Sequence, residues 1–169
     1  EHLDHVYPSD QFPFAYQVIT DSLTGKTDGI LKRPDTDPLV VHTQSSAEYW
    51  ERRGSLVHTD SRGNDIGSHP NTRVYLFSSS QHGSDPLKGP QEGSHVHPSN
   101  PNKARPLLRA LLDALDAWAT NGTEPPDNRI PSLDGETAAL AKSVAAVFPA
   151  VPGVQCPDQP SRLYVQDHG

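Results

Sequence analysis

No methionine occurs in this sequence, and Cys156 is its single cysteine. A lone thiol excludes an internal disulfide framework and a cysteine-rich zinc site, and Cys156 sits close to Pro152 and Pro157 in a segment that reads as irregular. No apolar run approaches the ~20 residues that a membrane span needs. Basic residues are also scarce: the net charge is −7, and no stripe of Lys and Arg is present to meet a nucleic-acid backbone. Apolar residues make up only 33% of the 169, while 17 are proline, which predicts a thin core and many loops. With no methionine, a start at Glu1 and an end at Gly169 that bear no terminal signature, the chain is expected to be a segment of something larger. The sequence assigns no compartment.

The elements alternate along the chain. Residues 1–38 read as an irregular lead-in, with aromatic Tyr7, Phe12, Phe14 and Tyr16, a turn at 22–25, and Thr27 capping a helical turn that Pro34 stops. Residues 39–43 are a β-branched strand, and residues 45–53 a helix with Ser45 at its N-cap. A second strand covers 73–78, and a glycine-, serine-, proline- and histidine-rich loop covers 83–101. The clearest helix runs from Pro106 to about Thr120, with Leu107, Leu108, Leu111, Leu112, Leu115 and Trp118 on one stripe predicted to pack against a sheet. Residues 121–169 form a proline-punctuated, extended tail with at most one more turn, near 135–143. Strand, helix, strand, loop, helix over 39–120 is the βαβα pattern of a parallel sheet, so the fold class is α/β.

In such sheets working residues gather at the carboxyl ends of the strands. The first strand is followed by Glu48 and the second by Gln81-His82-Gly83. A neutral imidazole there can take a proton, and a carboxylate on its other nitrogen would fix its tautomer and stabilise the imidazolium. Glu48 has a second reading, because Ser45-x-x-Glu48 is a capping box whose glutamate reaches back to the N-cap amide. Asp37, Asp60 and Asp65 are rival carboxylates, less well placed along the chain. Tyr49 and Trp50 read as packing residues. His95-Val96-His97, with His69 and His82, is a weaker metal reading: alternation supplies two ligands, and no carboxylate or cysteine stands at a recognisable spacing. Neither a metal nor a cofactor is expected. A Gly-x-Ser-x-Gly nucleophile turn occurs nowhere in the sequence.

Ser45-Ser46-Ala47-Glu48-Tyr49-Trp50, Tyr75-Leu76-Phe77-Ser78 with Gln81-His82, and Arg105-Pro106-Leu107-Leu108-Arg109-Ala110-Leu111-Leu112 resemble the C-terminal half of a group of large α/β-hydrolase-domain proteins. So do Asp10-Gln11-Phe12-Pro13-Phe14, Thr27-Asp28-Gly29-Ile30-Leu31 and Phe148-Pro149-Ala150-Val151-Pro152-Gly153, so that the resemblance covers most of the chain. It implies a serine hydrolase of carboxylic esters working through an acyl-enzyme, with His82 as base, then acid, and Glu48 as its orienting carboxylate. It also implies that the serine nucleophile and oxyanion hole lie upstream of Glu1, and that chain follows Gly169. The expected partners are a small ester and the upstream part of the hydrolase, in the same polypeptide or docked as a separate chain against a strand edge. A non-catalytic binding or scaffold piece with a hydrolase-like fold is the alternative.

Overall fold

The computed structural model describes residues 12–83 and 102–156. Its centre is a parallel pair of strands, β3 (Val40–Ser45) and β4 (Thr72–Phe77), in register from Val40 opposite Thr72 to Ser45 opposite Phe77. Val40, Val41 and Thr43 on one strand and Thr72 and Val74 on the other supply the β-branched side chains that suit a pleated surface. Val40 N–H donates to Asn71 O at 2.8 Å, which sets the phase of the ladder. Val40, His42 and Gln44 therefore turn their backbone groups toward β4, and Val41 and Thr43 turn theirs to the opposite edge. Among the described residues, that opposite edge has no backbone partner. The far edge of β4 is covered: Arg129 donates to Val74 O at 2.9 Å and accepts from Leu76 N–H at 2.8 Å, while Asn128 Oδ1 accepts from Val74 N–H.

The lead-in holds a hairpin where a helical turn was expected after Thr27. Strands β1 (Ile19–Thr20) and β2 (Thr27–Asp28) pair antiparallel. The expected turn at 22–25 closes them, with Gly25 in the left-handed region at φ 70°. Asp21 makes the turn more favourable than a helix start, because its carboxylate accepts from the Thr24 amide at 2.9 Å and hydroxyl at 2.6 Å. Ser61 Oγ donates to the same carboxylate and ties the hairpin to the loop before β4.

Helix α1 (Ser46–Glu51) leaves β3 directly, with Ser45 both the last strand residue and the N-cap. A 3-10 turn follows at Gly54–Val57. A Cβ on Gly54 would fall 2.8 Å from the backbone oxygen of Glu48, besides crowding the Gln44 side chain, so the close approach of this turn to α1 and β3 requires glycine.

Helix α2 (Arg105–Asn121) matches the expected helix, with Pro106 in its first turn and Gly122 ending it at φ 76°. Its stripe does not match. Trp118 is buried and lies under the Arg73 guanidinium at 5.0 Å, but Leu107, Leu108 and Leu112 are exposed, Leu112 by 66%. Among the described residues the sheet that α2 crosses is two strands wide, and they give the first turns of the helix little to pack on. Trp50 is likewise 62% exposed although it was expected to pack, whereas Tyr49 is buried on His58, hydrogen-bonded to its Nε2 at 2.9 Å. The last helix among the described residues, α3 (Ala141–Val147), starts later than the expected turn at 135–143 and interrupts the extended tail. Among the described residues, no helix is long and apolar enough to cross a membrane.

Candidate active site

Both parallel strands end on the same side of the sheet, and the segments that leave them meet there. After β3, helix α1 places Glu48 in its first turn. After β4 the chain bends through Ser79, a non-glycine residue at φ 56°, and brings His82 back toward α1. Among the bonds that hold that bend, Ser80 Oγ donates to Phe77 O, Ser46 N–H donates to Ser80 O at 3.0 Å, and Asn102 Nδ2 donates to Ser79 O at 2.9 Å. The Ser46 bond joins the start of the helix that carries Glu48 directly to the loop that carries His82.

His82 Nδ1 pairs with Glu48 Oε1. An ionised carboxylate only accepts, so Nδ1 carries a proton, and in the neutral ring Nε2 is then the basic nitrogen. The pair is accessible: the His82 side chain is 65% exposed and that of Glu48 26%. The other carboxylate oxygen, Glu48 Oε2, accepts from Ser45 N–H at 2.7 Å and from the Ser45 hydroxyl. The capping box and the pairing with histidine, which the sequence presents as alternatives, thus coexist on the two oxygens of one carboxylate. The rival carboxylates are engaged elsewhere. Asp37 accepts from the Arg33 amide, Asp60 closes its own loop through Arg62 and Asn64, and Asp65 accepts from Ser132 Oγ and Asp134 N–H.

Burial pushes the Glu48 carboxyl up, but the bonds from the Ser45 hydroxyl, the His82 ring and the Ser45 amide outweigh it and bring the group down from 4.5 to about 2. A carboxyl depressed in the folded state stabilises the fold in its ionised form. That contribution is complete above about pH 4.5 and is lost as pH falls through about 2. Glu48→Gln keeps a capping residue and removes the charge. The stability gap between wild type and Glu48→Gln, measured by urea unfolding, is expected to shrink steadily from about pH 6 to about pH 3. An equal gap at both ends would mean that the carboxylate carries no such linkage.

Glu48 also lines a cleft of about 400 Å³ bordered by Phe14, Tyr16, Ile30, His42 and Arg52. A chain of polar contacts crosses its floor. Gln44 Nε2 donates to Gly54 O at 2.7 Å and lies 3.0 Å from His42 Nε2, while His42 Nδ1 lies 2.8 Å from the Tyr16 hydroxyl. The Gly54 carbonyl can only accept, which orients the Gln44 amide; His42 Nε2 is then the acceptor, and Nδ1–H donates to Tyr16. Burial lowers the His42 imidazole and raises the Tyr16 phenol, so both are neutral near pH 7. His42 and Gln44 were not singled out from the sequence, although their two-residue spacing on a strand puts them on one face.

A family model described as alpha/beta hydrolase domain matches residues 12–156. The chain belongs to that family. Neither a curated protein nor a solved structure matches it significantly. The α/β class expected from the order of elements agrees with the match and with the parallel pair of strands in this hydrolase domain. His95, Val96 and His97 lie outside the described residues; among the described residues no group of three or more His, Cys, Asp or Glu could hold a metal ion.

Proposed function

We propose that this hydrolase domain contributes the acid and base of a serine hydrolase acting on carboxylic esters, with Glu48 as acid and His82 as base. The observation that carries this reading is the pairing of His82 Nδ1 with Glu48 Oε1 at the carboxyl ends of two parallel strands, in a chain of the α/β hydrolase family. His82 Nε2 would take the proton of a serine as it attacks the ester carbonyl, forming an acyl-enzyme. The imidazolium would then give that proton to the departing alcohol, and the same nitrogen would activate the water that releases the acid. Throughout, ionised Glu48 would hold the Nδ1–H tautomer and offset the charge of the imidazolium.

On this reading the serine and oxyanion donors would lie outside these 169 residues, in the remainder of an α/β hydrolase domain, since the sequence holds no Gly-x-Ser-x-Gly turn. Two features support that location. The outer edge of β3 at Val41 and Thr43 has no backbone partner among the described residues, and exposed leucines line the first turns of α2. A further strand beside β3 would satisfy the first and widen the sheet beneath the second.

An alkyl fluorophosphonate, which labels activated serines, separates this reading from that of a non-catalytic scaffold, which rests on the missing Gly-x-Ser-x-Gly turn. The longer polypeptide or assembly that carries this chain is expected to be labelled on a serine outside residues 1–169, and the 169-residue chain alone is not. Absence of labelling in the larger species would favour the scaffold, and labelling of the chain alone would overturn the location of the nucleophile.

A further inference from the structure

We propose that Ser45 is a positioning residue for the Glu48–His82 pair, its hydroxyl and amide holding one carboxylate oxygen so that the other faces His82 Nδ1. This deepens the assignment of Glu48 and His82 and rests on it. Ser45 ends β3, is buried, and has an extended backbone at φ −88°, ψ 174°, which aims its N–H into the first turn of α1. Its hydroxyl is used twice. It accepts from Ala47 N–H at 3.2 Å, and its single proton goes to Glu48 Oε2, beside the Ser45 N–H that reaches the same oxygen at 2.7 Å.

An ordinary capping glutamate needs only the N-cap amide, and its carboxylate keeps some freedom to swing. A second donor from the same residue removes that freedom. Fixing a glutamate side chain costs rotamer entropy, which two charge-assisted bonds can offset before histidine binds. The other oxygen, Oε1, meets His82. The β4 loop presents the imidazole to it, while His42 of β3 and Arg52 and Arg53 beyond α1 border the cleft that Glu48 lines.

Capping and positioning can be separated, because glycine is a good N-cap and replaces serine there at little cost. Ser45→Gly keeps the helix start and the amide donor but removes the hydroxyl proton; Ser45→Thr keeps all three. The reporter is the tautomer of His82, read from the nitrogen-15 shifts of its ring in the 169-residue chain, on the high-pH plateau where those shifts no longer change with pH. Wild type and Ser45→Thr are expected to be mainly Nδ1–H, and Ser45→Gly to lose at least about half of that population. The β3 and β4 amide shifts confirm that the variant is folded. If Ser45→Gly keeps the wild-type tautomer while Glu48→Ala loses it, the pairing stands and the positioning role falls. If Glu48→Ala also leaves the tautomer unchanged, the pairing itself is absent and both fall.

Discussion

His82→Ala is expected to lower ester turnover by at least about 100-fold in the complete hydrolase proposed to carry this chain, with little change in KM. A serine hydroxyl is a poor nucleophile at neutral pH, and without a base its proton has no acceptor in the transition state. Glu48→Gln is expected to cost on the order of 10²–10⁴-fold, because glutamine can retain the cap but cannot stabilise an imidazolium, and its amide can face Nδ1 with the wrong group. The two residues act as a unit, so the double variant should be no slower than His82→Ala by more than about threefold. Each of these changes tests something different. A His82→Ala enzyme within about tenfold of wild type removes the base. A Glu48→Gln enzyme at full activity leaves Glu48 as a cap alone. Multiplicative losses in the double variant would mean that acid and base work separately, which their direct contact argues against.

Local signals made the two strands and the acid's helix legible. Val40-Val41 and Val74-Tyr75 are β-formers at the centre of short runs, and Ser45-x-x-Glu48 marks a helix start from its own residues alone. What the spacing does not reveal is that a carboxylate has two oxygens and that each can serve a different partner. Capping and pairing with His82 compete on paper and are compatible in space. Thr27 carried a plausible cap signal, yet the Asp21 turn and the pairing of Thr27 with Thr20 prevailed, because a hairpin satisfies two segments at once. Arg129 is a harder case. Its two backbone bonds to β4 come from a stretch with no strand pattern, joined across a long run of intervening chain whose length carries no register information. The leucine stripe of α2 shows the reverse. Its periodicity correctly gave the helix, but periodicity states which side chains want cover and not whether these residues supply it.

Trp118→Ala is expected to be the most destabilising single change in α2. Trp118 is 8% exposed, is the buried apolar residue of that helix, and forms a face for the Arg73 guanidinium. Removing so large a buried ring costs about 3–5 kcal/mol, and the loss of the cation–π contact adds about 1 kcal/mol. The Arg73 guanidinium would keep its ion pair with Glu124 but lose the ring face beside it. Against a net stability of about 5–15 kcal/mol, that is a large fraction, and the thermal midpoint should fall by roughly 10 °C or more. Trp118→Phe, which retains an aromatic face over part of the volume, should lose less than half as much. Leu112→Ser is the informative control because it lies on the same helix and the same apolar stripe, in the open part. If the stripe is as bare in solution as the fold has it, this change costs within about 0.5 kcal/mol. A cost above about 2 kcal/mol in the 169-residue chain would mean that Leu112 is covered there, and the argument from exposed leucines to a docked remainder of the hydrolase domain would lose its footing.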